Sequence, residues 1–210
     1  MAFSYVTKGN IIAVDNNESR VAAGKQIANI LGVGDRIDWC VGTLGQLPLK
    51  NRKADIVYCI EVLEHVHKSP KAIHDLCRVS KELIILTTHN QWFPIGSHDT
   101  RLPFCHWLPI PIRKIYARVF KIDREYDNLF WSPYSLLKNF DKFEPISKWL
   151  HYSSYNKHMA TFPFYLPYGR GRYVNSMGIA KRLYYGIVSK FGMCSHLVTP
   201  TLAYVLKRKK

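Results

Sequence analysis

This chain of 210 residues lacks the features of membrane-spanning, secreted and disulfide-rich proteins. No stretch approaches the roughly 18 consecutive apolar residues that a membrane-spanning helix needs. Residues 1–10 have no apolar core behind a charged start, so we expect no signal peptide. The five cysteines are odd in number and form no Cys-x-x-Cys pair. This predicts reduced thiols in a cytoplasmic compartment rather than a disulfide framework or a zinc site.

Acidic residues are missing from the last part of the chain, where none follows Glu144. Residues 1–97 carry 11 Lys and Arg against 9 Asp and Glu, whereas residues 98–210 carry 19 against 6. The first part therefore resembles an ordinary enzyme core. We expect the second part to supply substrate-recognition elements and closing strands of the same domain, and to meet an anionic partner. A solvated basic face is the alternative, and RNA is less favoured because the recognised RNA-binding signatures are absent.

The apolar run at residues 56–60 is the centre of the first part. Its length and β-branched content predict a strand that is buried on both faces. Glu61, Glu64 and His65 follow directly, at the carboxyl end where ligands bind to open parallel sheets. The alternative is that Glu64 and His65 only orient the next helix. Further strands alternate with helices, which predicts a Rossmann-like, doubly wound α/β fold with a mostly parallel sheet and helices on both faces. These strands are predicted at residues 11–15, 37–41 and 83–88.

The stretch 54–66, ADIVYCIEVLEHV, resembles the fourth-strand region of class I S-adenosylmethionine (SAM) dependent methyltransferases. The branch that contains the ubiquinone and menaquinone methyltransferases is the most similar, and the resemblance covers about residues 3–90. It implies that SAM is the cofactor, that Asp15 accepts hydrogen bonds from the ribose, and that Asn16 lies along the adenine. The same resemblance implies further cofactor contacts at Thr43, Leu44, Cys59 and Ile60.

Two departures from the family pattern affect cofactor binding. Thr43 stands where the family has an acid that pairs with the adenine amino group, so adenine recognition should be weakened or re-routed. The family's glycine-rich turn, G-x-G-x-G, is formed by none of the 12 glycines. We therefore expect that the chain begins just after its own cofactor loop, that two inner sheet edges lack the central strand, and that this chain alone binds SAM poorly. A degenerate fold that acts as a non-catalytic binding module is the alternative.

Methyl transfer requires a positioned acceptor atom and, for a hydroxyl acceptor, a base. The candidate catalytic residues are, in order, His65, Glu61 and His89. The motif Glu61-x-x-Glu64-His65 would share one face if it were helical. In some related O-methyltransferases this spacing holds a divalent ion with a further histidine, which here would be His98 or His106. Many relatives carry the same residues without a metal, so we predict no metal ligand.

The sequence of the second part of the chain predicts a surface that binds the acceptor. A helix that begins near Pro111 would carry an apolar face flanked by basic residues, which is the composition of an interfacial amphipathic helix. A lid helix with a solvated basic side is the alternative. The apolar residues are Ile112, Ile115, Tyr116, Val119 and Phe120, and the basic residues are Arg113, Lys114, Arg118 and Lys121.

Further elements are predicted at residues 133–140 (helix), 146–152 (strand), 179–191 (amphipathic helix) and 201–206 (closing strand). Together with the charge, they predict methyl transfer to an oxygen or carbon atom of a small-molecule or lipid-linked acceptor, such as a sugar or polyprenyl compound. We also expect peripheral contact with an anionic membrane.

Overall fold

The computed structural model describes residues 9–66, 70–94, 102–120, 128–146 and 201–210. These residues form β1 (Ile11–Asp15), α1 (Glu18–Ile30), β2 (Ile37–Val41), β3 (Ala54–Ile60), α2 (Pro70–Val79), β4 (Ser80–His89), α3 (Ile110–Val119), α4 (Pro133–Lys138), β5 (Phe143–Pro145) and β6 (Thr201–Arg208). Single 3₁₀ turns occur at Gly34–Arg36 and Cys105–Trp107. Among the helices described, none combines the length and the apolarity needed to cross a membrane.

Strands β1 and β2 form a parallel ladder against which α1 packs. Asn17 caps α1, because its side chain accepts a hydrogen bond of 3.1 Å from the backbone N–H of Arg20. Gly24 allows the helix to approach β2 closely, since a Cβ at this position would lie 2.3 Å from the Trp39 ring. A larger residue would push α1 away from the ladder and displace the segment that follows Asp15.

The second sheet has the strand order β3-β4-β6-β5. β3 and β4 are parallel, and β6 is antiparallel to both of its neighbours. Helices α2 and α4 and these strands share one apolar core, which includes Ile73, Leu76, Ile84, Leu86, Leu136, Phe140 and Leu206. The predicted α/β fold with a closing antiparallel strand is confirmed.

The prediction that the 56–60 run is buried on both faces is wrong. Cys59 is 4% exposed, but Ile56, Tyr58 and Ile60 on the opposite face are each more than 40% exposed. The described residues cover only the face of β3 that packs toward α2. Within these residues β1 pairs only with β2, and β3 pairs only with β4.

The helices of the second part agree with the sequence better than its strands do. Pro111 lies in the first turn of α3, and Ser132 caps α4 in a reciprocal pair with Ser135. Strand β5 was not predicted, and of the strand predicted at residues 146–152 only Ile146 lies within the described residues, where it follows β5 directly. Residues 147–152 and the helix predicted at residues 179–191 lie outside the described residues.

Arg113 corrects the prediction for α3. The sequence places it among the basic residues that flank the apolar face of the helix, but it is 8% exposed and lies on the side that packs against the protein. Its guanidinium donates hydrogen bonds to backbone carbonyls, which compensates for the loss of water. The apolar side of α3 consequently faces outward.

Candidate active site

The carboxyl ends of β1 and β2 bring together the first group of predicted cofactor contacts. Asp15 pairs with Val41 at the end of the ladder, and its backbone carbonyl accepts a hydrogen bond of 3.0 Å from Gly42. Its carboxylate accepts a hydrogen bond of 2.9 Å from the backbone N–H of Asn17 and lies 3.8 Å from a guanidinium nitrogen of Arg20. The side chain retains 36% exposure, so a ligand can approach it.

The loop after β2 carries Thr43 and Leu44. Thr43 is exposed, whereas Leu44 is partly buried and packs against the core of the second sheet. Asn16, which follows Asp15, is also exposed. The structure therefore places Asn16 and Thr43 where a ligand can reach them, and gives Leu44 a share in joining the loop to the core.

Sequence analysis missed the pair that fixes this loop. Asp75 of α2 is 4% exposed, and its Oδ2 accepts hydrogen bonds from the backbone N–H groups of Gly45 (3.0 Å) and Leu47 (2.7 Å). Its other oxygen, Oδ1, accepts from Arg78, with 2.6 Å between that oxygen and Nη2. Arg78 also donates to the carbonyl oxygens of Leu47 and Leu49. The available signal was an Asp and an Arg three residues apart, a spacing that makes two side chains neighbours when the segment is helical.

Cys59 and Ile60, at the end of β3, differ in their environment. The Cys59 side chain belongs to the core, and burial, followed by the nearby charge of Glu64, raises the pKa of its thiol to about 12. Only its backbone remains suitable for a ligand contact at the sheet edge. Ile60 is 45% exposed and can contact a bound molecule with its side chain.

Beyond β3 the chain forms a compact cluster of Glu61, Glu64 and His89. The Nδ1 atom of His89 lies 3.1 Å from Glu61 Oε2 and 3.2 Å from Glu64 Oε1. Thr88 donates a hydrogen bond of 2.9 Å to the second oxygen of Glu64, and the backbone N–H of Glu61 donates to Thr87 Oγ1 at 3.2 Å. The turn after β3 and the carboxyl end of β4 thus supply all the groups of this cluster.

The two carboxyl groups of the cluster have different electrostatic environments. Burial raises the pKa of Glu61, and the neighbouring charge of Glu64 raises it further. Burial acts in the same direction on Glu64, but hydrogen bonds from His89 and Thr88 outweigh it, so that the pKa of Glu64 is lowered. Glu64 therefore carries the charge more readily, and Glu61 binds a proton more readily.

The helical arrangement considered for Glu61-x-x-Glu64-His65 is wrong. Residues 61–66 form bends and a turn, and Glu61 has a left-handed backbone with φ of 53°. This geometry turns His65 outward, where it is exposed and its Nδ1 lies 3.1 Å from Asn128 Oδ1. His89 takes the place beside the two carboxylates that His65 was expected to occupy.

His106 is buried close to the cluster but does not join it. Its Nε2 lies 3.0 Å from the carbonyl oxygen of Gln91, to which it donates when protonated. Burial lowers the pKa of His106, against the effect of this hydrogen bond. The ring of Phe130 contacts both imidazoles, with centroid distances of 5.1 Å to His89 and 5.0 Å to His106. His98, the other fourth ligand considered, lies outside the described residues.

The cluster has the composition of a site for a divalent cation. One ligand atom from each of Glu61, Glu64 and His89 lies within 4.8 Å of the other two. Carboxylate oxygens with one imidazole suit Mg²⁺ or Mn²⁺. The same groups can take part in proton transfer, because the imidazole and the two carboxylates all carry atoms that bind a proton.

Comparison with known proteins shows what this chain is similar to. Residues 1–83 match the model of the methyltransferase domain family. The chain is 25% identical over 97 residues to sterol 24-C-methyltransferase from Yarrowia lipolytica. This aligned stretch covers 46% of this chain and 25% of that protein. The chain thus spans about a quarter of that relative.

Solved structures show the same fold. Geranyl diphosphate C-methyltransferase from Streptomyces coelicolor, in complex with Mg²⁺, geranyl-S-thiolodiphosphate and S-adenosyl-L-homocysteine, has a TM-score of 0.57 at 13% identity, over 99% of this chain and 64% of that one. The [4+2]-cyclase SpnF has a TM-score of 0.56 at 16% identity, over 99% of this chain and 68% of that one. At these identities the comparison establishes the architecture and not the reaction.

Proposed function

We propose that the protein transfers a methyl group from SAM to an oxygen or carbon atom of an acceptor, because residues 1–83 match the model of the methyltransferase domain family. The family match is the observation that carries this proposal. SAM supplies the methyl group on its sulfonium sulfur. The protein's part is to bind SAM, to hold the acceptor atom in line with the methyl group, and to exclude competing water.

We infer that Asp15 holds the ribose of SAM. An acid at the end of this strand in nucleotide-binding α/β units accepts hydrogen bonds from ribose hydroxyl groups. The Asn17 backbone N–H fixes one carboxylate oxygen of Asp15, and the side chain keeps enough exposure for a second partner. The remaining proposed contacts are Asn16, Thr43, Leu44, the backbone of Cys59, and Ile60.

Glu61 is the proposed proton acceptor for a hydroxyl acceptor. Its side chain is 33% exposed, whereas those of Glu64 and His89 are 0% and 2% exposed. An acceptor molecule can therefore reach Glu61 directly, and the buried His89 and Glu64 orient it from behind. Because burial raises the pKa of Glu61, this carboxylate is also the better base of the pair. His65 becomes a residue at the rim of the site.

A metal-assisted reaction is the second candidate, and the grouping of the three ligand atoms favours it. Glu61, Glu64 and His89 would hold a divalent ion, which would supply Lewis-acid polarisation or charge neutralisation at the acceptor. Geranyl diphosphate C-methyltransferase, which has a similar fold, is known in complex with Mg²⁺. The loss of activity on treatment with EDTA, and its return with Mg²⁺ or Mn²⁺, would favour this candidate over direct proton transfer to Glu61.

For the acceptor we propose an anionic and partly apolar molecule, such as a lipid-linked sugar or a polyprenyl compound. The excess of Lys and Arg in residues 98–210, 19 against 6 acidic residues, supports an anionic group. RNA would also meet this charge, and it is the competing acceptor that the experiment has to exclude.

The experiment measures label transferred from methyl-labelled SAM, at saturating concentration, to a lipid extract and to total RNA in parallel. We expect label in the organic phase. Glu61→Gln should reduce it by about 100-fold or more, which is the usual effect of removing a general base. Glu82→Gln, at an exposed position of β4, is the matched control and should leave transfer unchanged.

Two outcomes would contradict the proposal. Label in RNA and not in lipid would replace the acceptor class. The absence of label in every fraction, with SAM bound, would favour the non-catalytic binding module.

A further inference from the structure

Helix α3 turns its apolar side away from the protein. Ile112, Ile115 and Val119 follow one another at intervals of three and four residues, so they lie along one side of the helix. They are 48%, 62% and 71% exposed. Arg113 and Ala117 lie on the opposite side and are buried. This reverses the usual orientation of a surface helix, in which the apolar stripe faces the core.

Hydrogen bonds fix this orientation. The Arg113 Nε donates to the carbonyl oxygen of Leu108 at 2.7 Å, while its two terminal nitrogens donate to the carbonyl oxygens of Asn128 (3.1 Å) and His106 (2.7 Å). Turning the helix over would break three charge-assisted hydrogen bonds and bury Ile115 in place of a satisfied cation. The outward apolar side is therefore a built feature of this helix.

Further exposed apolar side chains lie next to α3 in the chain. Phe104 and Trp107 precede the helix and are 50% and 48% exposed, with ring centroids 4.9 Å apart. Phe120 follows the helix and is 56% exposed. We call Ile112, Ile115, Val119 and Phe120 the α3 surface. Exposed apolar residues grouped in this way are uncommon on a soluble protein and indicate a surface that contacts a partner.

Charge determines which partner fits. Residues 102–120 contain no Asp or Glu, and Lys114 and Arg118 of α3 are exposed. A short helix that presents aliphatic and aromatic side chains beside cations has the composition of an interfacial helix. Each Lys or Arg near an anionic leaflet adds to the attraction, and tryptophan favours the head-group level of a bilayer. RNA would engage the cations but would leave the aliphatic side chains in water.

We propose that the α3 surface docks the protein on an anionic lipid leaflet, with Ile112, Ile115, Val119 and Phe120 inserted at the head-group boundary and Arg118 against lipid phosphates. This inference concerns a surface separate from the Glu61–Glu64–His89 cluster. It does not depend on methyl transfer. A lipid leaflet suits both the apolar side chains and the neighbouring cations, because the apolar side chains leave water while the cations keep anionic partners.

The test is co-sedimentation of the 210-residue chain with vesicles of phosphatidylcholine alone and with vesicles that also contain phosphatidylglycerol. We expect binding to the anionic vesicles. The double variant Ile115→Ser/Val119→Ser should weaken it by at least about tenfold, because two largely exposed aliphatic side chains no longer gain from burial. Arg118→Gln should weaken binding by about fivefold, and only on anionic vesicles.

Ile30→Ser is the matched control, since Ile30 on α1 is 83% exposed and lies on another helix. It should bind like the unaltered chain. Circular dichroism and a thermal melt of each variant confirm that folding is retained, which the exposure of the substituted residues favours. A double variant that sediments as strongly as the unaltered chain would overturn the proposal, and so would equal binding to both kinds of vesicle.

Sedimentation without vesicles and a gel shift with RNA complete the design. Self-association that the double variant abolishes would identify a second copy of the chain as the occupant of the α3 surface and overturn the proposal. Binding to RNA without binding to anionic vesicles would overturn it as well.

Discussion

The loop that carries Thr43 and Leu44 is held by one carboxylate, that of Asp75. Replacing this carboxylate tests how the candidate cofactor site is stabilised. Asp75→Asn keeps the size of the side chain but leaves a single oxygen where two now accept. That oxygen can serve either the backbone N–H groups of Gly45 and Leu47 or the Arg78 guanidinium, but not both. The new amide donor then faces other donors in a site where Asp75 is 4% exposed.

The expected cost follows from the bonds that are lost. A hydrogen bond to a charged group contributes about 1.5 to 3 kcal/mol, and the variant loses two or more such bonds. Removing one member of a largely buried ion pair has a cost of similar size. We therefore expect Asp75→Asn to lower the free energy of unfolding by about 3 kcal/mol. Urea unfolding followed by circular dichroism measures this difference directly.

Asp55→Asn is the matched control. Asp55 also pairs with a cation, Lys81 at 2.8 Å, but the two side chains are 72% and 47% exposed. Water and salt screen such a surface pair, so the same substitution should hardly change the free energy of unfolding. Equal losses in the two variants would refute the reasoning, because burial would then not determine the strength of these pairs.

Hydrogen exchange locates the effect within the molecule. In the Asp75→Asn variant the backbone amides of Gly45 and Leu47 lose their acceptor. Their hydrogen exchange should therefore accelerate by more than the overall loss of stability alone would cause. The amides of β1 should change only by the global amount. Unchanged protection at both loop amides would show that the loop is held by other contacts.

Three further predictions concern pH and the cofactor. The folded-state pKa of Glu61 is raised, so its contribution to stability is fully present below about pH 4.3 and lost as pH rises through the folded value. Glu61→Gln should therefore stabilise the chain at neutral pH in EDTA, and this gain should vanish in urea unfolding at about pH 4. The folded-state pKa of His106 is lowered, so its contribution is present above about pH 6.5 and lost as pH falls through the folded value. The melting temperature should thus fall less on acidification in His106→Gln than in the unaltered chain. Calorimetry with SAM should give weak but saturable binding, because no G-x-G-x-G turn is present in the sequence, and micromolar binding would show that this turn is dispensable here.

The active-site cluster shows what motif spacing can and cannot predict. The sequence identified Glu61, Glu64 and His89 as polar residues at strand ends, and the structure brings these three together. It also ranked His65 first, and the structure places His65 outside the cluster. The reason is local: a left-handed residue at Glu61 turns the chain, so the interval of three and four residues no longer places side chains on one face. Such a backbone conformation leaves no pattern in a single sequence.

For α3, periodicity predicted an amphipathic helix correctly but not the direction in which it faces. Ile112, Ile115 and Val119 have the same spacing whether the stripe packs inward or outward. The direction depends on Arg113, whose three carbonyl partners come from residues before α3 and from Asn128 after it. The cost of burying a cation is met only where those carbonyls converge, and that convergence is a property of the folded chain.

The sequence by itself determined the order of strands and helices, because hydrophobic periodicity and helix caps such as Asn17 and Ser132 act over a few residues. It also determined which residues stand at the strand ends. Only the tertiary structure decided which face of β3 is covered, which histidine joins the two glutamates, and how Asp75 holds the loop after β2. These depend on contacts between residues about 25 or more positions apart, such as Glu64 with His89 and Gly45 with Asp75. Their energies arise from desolvation and hydrogen-bond geometry that exist only after the chain has folded.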